Sequence, residues 1–154
     1  MRIQILIIAC FLSLCTVSGA WAQRGGSLEV GSQAPGLTVD WVKGEFDPAN
    51  AEVYVVEFWA TWCAPCRKSI PHLTKLQEEF GEDGLQIVGI SIDKEVELVD
   101  PFVKRQGVKM GYTVGTDIRQ RTKRVWMDAA GLKGIPSAFI VDREGTIQYI
   151  GNPL

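Results

Sequence analysis

The sequence predicts a mostly parallel α/β sheet with an antiparallel edge. Three observations carry that prediction. Runs of β-branched, aromatic and aliphatic residues recur at 53–59, 85–92 and 137–141, as in strands buried on both faces. Between them lie segments whose apolar residues recur every three or four positions, the helical period. The last run is followed by the turn Asp142-Arg143-Glu144-Gly145 and a partner strand over 146–150, which closes a hairpin. At 154 residues, with no internal repeat or linker, the chain is of one-domain size.

The elements can be justified in chain order. Arg2 precedes an apolar run over 3–17, and small residues then lead into Ala20-Trp21-Ala22. A positive start, a short apolar stretch and an A-x-A site predict a secretory signal peptide over residues 1–22, with the domain proper over 23–154. The run is short for a membrane span, which needs about 20 apolar residues. An uncleaved anchor is the competing reading. A lipoprotein site fits less well, because Cys15 follows bulky Leu14 and Cys10 comes too early.

Residues 23–36 are rich in Gly, Gln and Ser and predict an extension with little regular structure. A short strand is expected over 37–42, with Lys43-Gly44-Glu45 turning the chain. Residues 53–59 form the central strand. Ile70, Leu73, Leu76 and Phe80 mark a helix over about 64–80, in which Pro71 predicts a kink, and Gly81 and Gly84 end it. Further helices are expected over 96–106, despite Pro101, and over 119–130, whose start is very basic. A short strand over 112–116 lies between them.

Composition narrows the function classes. Hydrophobic residues are 46% and charged residues 22%, values of a soluble globular chain that exclude a disordered tail and a multi-span membrane protein. The 16 glycines and 7 prolines show no fixed period, which excludes collagen-like and low-complexity readings. Net charge is −2, so no broad basic field exists to hold a phosphate backbone, and no nucleic-acid partner is expected.

Loss of a signal would remove Cys10 and Cys15 and leave Cys63 and Cys66 in Cys63-Ala64-Pro65-Cys66. One pair closing so small a ring constrains the unfolded chain little, so the pair is read as chemistry rather than as a staple. Cys63 falls after a strand and before a helix, where unpaired N–H groups and the helix dipole favour thiolate. Cys66 lies one turn on and behind it, placed to resolve a mixed disulfide formed on Cys63. The rival reading is zinc. It needs four ligands, and with the pair there is only one histidine, His72, so no metal is expected. Arg67 follows Cys66, which excludes the C-x-x-C-H haem motif. Glu57 is an acid in an otherwise apolar strand. It is either a strand-end surface residue or a buried carboxyl able to serve as general base for Cys66. Pro136 opens an apolar strand and can hold a cis bond, leaving the backbone of Ile135 free to pair with a substrate chain.

Together, the run from Glu57 through Trp62-Cys63-Ala64-Pro65-Cys66 to Lys68, then Pro71 and Ile135-Pro136, resembles the thioredoxin superfamily. It is most similar to the exported TlpA/ResA-type branch, which is related to the AhpC/TSA and redoxin families. Gly31-Ser32-Gln33-Ala34-Pro35 resembles that branch's N-terminal element, and Ser91-Ile92-Asp93 with the segment to Ala130 resembles its central insertion. The resemblance spans about residues 28–152.

It implies a thioredoxin-like fold, a central mixed sheet with helices on both faces. It also implies that the helix that normally ends the fold is missing after the last strand. Cys63 matches the attacking cysteine, Cys66 the resolving one, Glu57 the buried acid and Pro136 the cis-proline. Trp62, Ala64, Pro65, Ile135 and Pro136 are the implied substrate-binding surface. Ser69 departs from the glutamate many ResA-type relatives carry there, which weighs against a cytochrome-maturation role.

The implied activity is an extracytoplasmic thiol–disulfide oxidoreductase reducing protein disulfides, monomeric and without a cofactor. Its clients are protein disulfides or thiols, and a membrane thiol carrier supplies the electrons. A peroxiredoxin-like antioxidant enzyme, or a non-catalytic thioredoxin-like binding domain, are the alternatives.

Overall fold

In the computed structural model residues 27–154 are described. The export segment expected over 1–22 lies outside them. Six strands form one sheet in the order β1-β4-β3-β2-β5-β6. They are β1 (Val39–Lys43), β2 (Val53–Trp59), β3 (Leu85–Ser91), β4 (Thr113–Asp117), β5 (Ser137–Asp142) and β6 (Ile147–Gly151). The helices are α1 (Cys66–Phe80), α2 (Val99–Gln106) and a short α3 (Arg121–Lys123) that continues as a π turn over Arg124–Asp128.

The pairings β2–β3 and β3–β4 are parallel. The pairings β1–β4, β2–β5 and β5–β6 are antiparallel. The sheet is therefore mixed and antiparallel at both edges, where the strand pattern alone had shown only the terminal hairpin. The far edge arises because β1 crosses the sheet to lie beside β4, a placement its five residues do not encode.

Alternate residues of the central strands face two cores. Val55, Trp59, Ile87, Val114 and Ala138 pack beneath α1 and α2. Val56, Phe58, Val88, Ile90 and Phe139 pack on the other face against Trp126 and Met127 of the π turn. That second face is also covered by Leu28, Leu37 and Trp41 of the N-terminal stretch. Strands lined on both sides in this way read as continuous apolar runs.

One local expectation needs correction, the helix over 119–130, and two others gain detail. The extension is irregular but pinned, with Gly31 N–H on the Ile147 carbonyl at 2.8 Å, Ile147 N–H on Ser32 at 2.9 Å and Ala34 N–H on Gly145 at 2.8 Å. The helix expected over 119–130 starts only at Arg121. Arg119 and Gln120 adopt left-handed φ values of 54° and 58°. The Asp117 carboxylate then accepts the N–H groups of Thr122 and Lys123, at 2.9 and 2.8 Å, and so caps the turn. Pro71 lies inside α1, which runs on to Phe80 and stops at Gly81 as expected. Pro71 is on the exposed side, where water can meet the carbonyl that loses its helical donor. Pro101 is likewise tolerated, because it falls in the first turn of α2. Beyond β6 the described chain continues as Asn152–Leu154, without a helix.

Candidate active site

The turn between β2 and α1 carries the cysteines. Cys63 and Cys66 are joined, S–S 2.06 Å. Cys66 is the first residue of α1, and its N–H points at Cys63 Sγ from 3.1 Å. A helix N-terminus thus delivers a backbone donor to the outer sulfur, the arrangement that stabilises a thiolate there. Cys66 is fully buried, and Cys63 is 4% exposed rather than open to solvent. Its cover includes the loop before β5, whose Ile135 carbonyl oxygen lies 3.8 Å from Cys63 Sγ. The Ile135–Pro136 bond in that loop is cis. Trp62, Ala64 and Pro65 are exposed around the pair, Trp62 at 65%.

The turn is held from behind by a residue given no role in the sequence reading. The buried Asp93 carboxylate accepts from Thr61 N–H at 2.9 Å, Thr61 Oγ–H at 2.7 Å and Ser91 Oγ–H at 2.7 Å. It ties the loop that follows β2 to the end of β3. Arg67 closes the other side, donating to the Thr61 carbonyl at 3.2 Å. In the sequence Asp93 was an acid directly after a buried strand, at the start of the segment that resembles the family's central insertion.

Glu57 is fully buried, so the surface reading of this residue fails. It sits mid-strand on the α1 face. Its lateral neighbours are Gly89 on β3 and Ala138 on β5, which leave room for a carboxyl. Ser69 of α1 donates to Glu57 Oε1 at 2.5 Å, and the Tyr112 hydroxyl approaches Oε2 at 3.4 Å. Burial pushes the Glu57 carboxyl from 4.5 up to about 7, and the two hydrogen bonds hold it from rising further. The same burial, with the facing carboxylate, drives the Tyr112 phenol well above its ordinary value. Trp59 Nε1, on the next inward position of β2, is buried and has no hydrogen-bond partner among the described residues.

Beside the disulfide opens a groove of about 320 Å³, lined by Trp62, Ile92, Lys123, Met127, Lys133 and Ile135. It is apolar at its base and basic at its rim. His72 is exposed on α1. Among the described residues, no group of three or more His, Cys, Asp or Glu side chains converges to hold a metal.

Comparison with known proteins agrees with this geometry. The AhpC/TSA family model matches residues 30–150. Thiol-disulfide oxidoreductase ResA of Bacillus subtilis (strain 168) is 26% identical over 146 residues, covering 93% of this chain and 78% of the relative. The Bacillus anthracis protein of the same name is 27% identical over 154 residues, covering 97% of this chain and 85% of the relative. Among solved structures, the thioredoxin domain of a thiol-disulfide oxidoreductase from Bacteroides vulgatus matches with a TM-score of 0.69 and 28% identity, covering 80% of this chain and 89% of that one. A thiol:disulfide interchange protein from Bacteroides sp. matches with the same score and identity, over 80% and 82% of the two chains.

Proposed function

The chain belongs to the AhpC/TSA family, and from that premise we propose that it is a thiol–disulfide oxidoreductase that reduces protein disulfides outside the cytoplasm. The observation that carries the reading is the Cys63–Cys66 pair at the start of α1, facing the cis Ile135–Pro136 loop with a buried carboxyl behind it.

In the reduced enzyme Cys63 is the thiolate, stabilised by the Cys66 N–H. It attacks one sulfur of a client disulfide. A mixed disulfide forms, and the other client sulfur leaves as a thiolate that takes up a proton. Cys66 then gives its proton to Glu57 and attacks Cys63 Sγ, closing the Cys63–Cys66 bond and releasing the second client sulfur. The client gains two electrons from the cysteine pair; its first thiolate takes a proton from solvent, and its second takes the proton that Cys66 passed to Glu57. Glu57, with a pKa of about 7, is matched to hold that proton near neutral pH.

Trp62, Ala64, Pro65, Ile135 and Pro136 form the surface against which the client chain lies, with the Ile135 backbone beside the sulfur. A membrane thiol carrier returns the electrons, and the domain acts as a monomer. Residues 1–22 direct export, and residues 23–154 form the thioredoxin-like domain. The positive start, apolar run and A-x-A site support that division.

The experiment is reduction of insulin disulfides by the purified protein. Cys63→Ser should abolish it. Cys66→Ala should stall it as mixed disulfides on Cys63, which mass spectrometry then identifies. Full activity in Cys63→Ser would overturn the mechanism. A reduction potential below about −300 mV, where structural disulfides lie, would favour the non-catalytic binding domain instead.

A further inference from the structure

In the buried polar cluster behind the disulfide, one hydroxyl serves two acceptors. Ser69 Oγ lies 2.5 Å from Glu57 Oε1 and 2.9 Å from the backbone carbonyl oxygen of Cys66. A serine hydroxyl has a single hydrogen, which points at one acceptor or is shared between the two at the expense of both. Both contacts are full hydrogen bonds only when Glu57 is protonated. The carboxyl then donates to Ser69 Oγ, and the Ser69 hydrogen is free for the Cys66 carbonyl. When Glu57 is ionised, the Ser69 hydrogen turns toward the carboxylate, the stronger acceptor, and its bond to the Cys66 carbonyl weakens. The orientation of one hydroxyl thus reports the charge of Glu57 to the backbone of the resolving cysteine.

We propose that Ser69 and Tyr112 are positioning residues that set the proton affinity of Glu57, and that Ser69 couples the protonation of Glu57 to Cys66. The proposal rests on the reading that Glu57 exchanges a proton with Cys66. Tyr112 belongs to the cluster because its hydroxyl reaches the second carboxyl oxygen, at 3.4 Å. Its ring is held by close approach to β3, where a Cβ built on Gly89 would meet Tyr112 Cε2 at 2.9 Å. Glycine at 89 is therefore what lets the phenol come up to Glu57.

The groups that face Glu57 can be named element by element. From α1 comes Ser69, three residues after Cys66 on the same helix, from the segment before β4 comes Tyr112, and Trp59 follows two positions on along β2. The facing positions of β3 and β5 are Gly89 and Ala138 and bring no charge. Lys43 Nζ donates to the Met110 carbonyl, two residues before Tyr112. Among the described residues no salt bridge reaches Glu57, and the hydroxyls of Ser69 and Tyr112 are its side-chain donors.

The sign follows from hydrogen bonding. A hydroxyl donating to a carboxylate favours the charged form more than the neutral acid, so removing it raises the proton affinity. The test measures the carboxyl C=O infrared band of the oxidised protein between pH 5 and 9, and the pH profile of insulin reduction, in wild type and variants. Ser69→Ala should move the midpoint of both upward by about one pH unit, the equivalent of one hydrogen bond to a charged group. Tyr112→Phe should move them in the same direction by less, since its contact is longer. Ser69→Thr keeps the hydroxyl and should restore the wild-type midpoint.

Glu57→Gln removes both the band and the inflection, and in that background Ser69→Ala should move nothing. If Glu57→Gln leaves the pH profile unchanged, the general-base reading itself is wrong. If Glu57→Gln removes the inflection but Ser69→Ala lowers the rate equally at every pH with the infrared midpoint unmoved, Ser69 is only packing and this inference fails alone.

Discussion

Glu57→Gln should stabilise the oxidised protein at alkaline pH and change it little at acid pH. Burial raises the Glu57 carboxyl from 4.5 to about 7 in the folded protein. Below pH 4.5 the group is neutral in both folded and unfolded chains, and folding loses nothing. Between 4.5 and about 7 the unfolded chain releases its proton while the folded one keeps it, so stability falls as pH rises. Above that window both states are ionised and the curve levels. At about 1.4 kcal/mol per pH unit, the loss across the window is about 3 kcal/mol. That is a large share of the roughly 5–15 kcal/mol that holds a domain together.

Glutamine has nearly the same volume and never ionises, and its amide faces two hydroxyls that can each donate or accept. Every other titrating group is common to the two proteins and cancels in their difference. The assay is urea unfolding of both oxidised proteins from pH 5 to 9. The stability difference should grow by roughly 2–3 kcal/mol up to pH 8 and then flatten. Parallel curves across that range would refute the reasoning and return Glu57 to the behaviour of an ordinary carboxylate.

Two further substitutions probe the site. Gly89→Ala places a Cβ 2.9 Å from Tyr112 Cε2 and 3.1 Å from Trp59 Nε1. It should cost about 1–3 kcal/mol of stability, so an unchanged melting temperature would show that the two rings give way freely. Pro65→His sets an imidazole between the cysteines, where it favours the Cys63 thiolate. A more stable reduced form means a more oxidising protein, and a glutathione titration should show the potential rising.

Much of the site was legible in the sequence because its parts are local. The cysteine pair, the strand before it and the helix after it occupy one continuous run, and the order strand–turn–helix alone puts a sulfur at a helix N-terminus. Glu57 was legible as an anomaly, an acid in an apolar run. Its burial depended on more, since the strand register had to supply Gly89 and Ala138 as neighbours. Ser69 read only as a departure from a family pattern, yet it is the residue that touches Glu57. Tyr112 carried no signal, because its contact with Glu57 spans 55 positions of chain.

By itself the sequence determined the alternation of strands and helices, the terminal hairpin, the redox pair and the proline that opens β5. Periods of two and 3.6 residues, and the stereochemistry of proline, act within a few residues and need no partner. Tertiary structure decided what depends on a partner. It sent β1 to the far edge of the sheet and joined Asp93 to Thr61 across 32 positions. It also turned Arg119 and Gln120 left-handed ahead of the turn that Asp117 caps. In each case a buried polar group or an unpaired strand edge must find its hydrogen-bond partner wherever the fold brings one. Local propensity carries no record of which distant residue that will be.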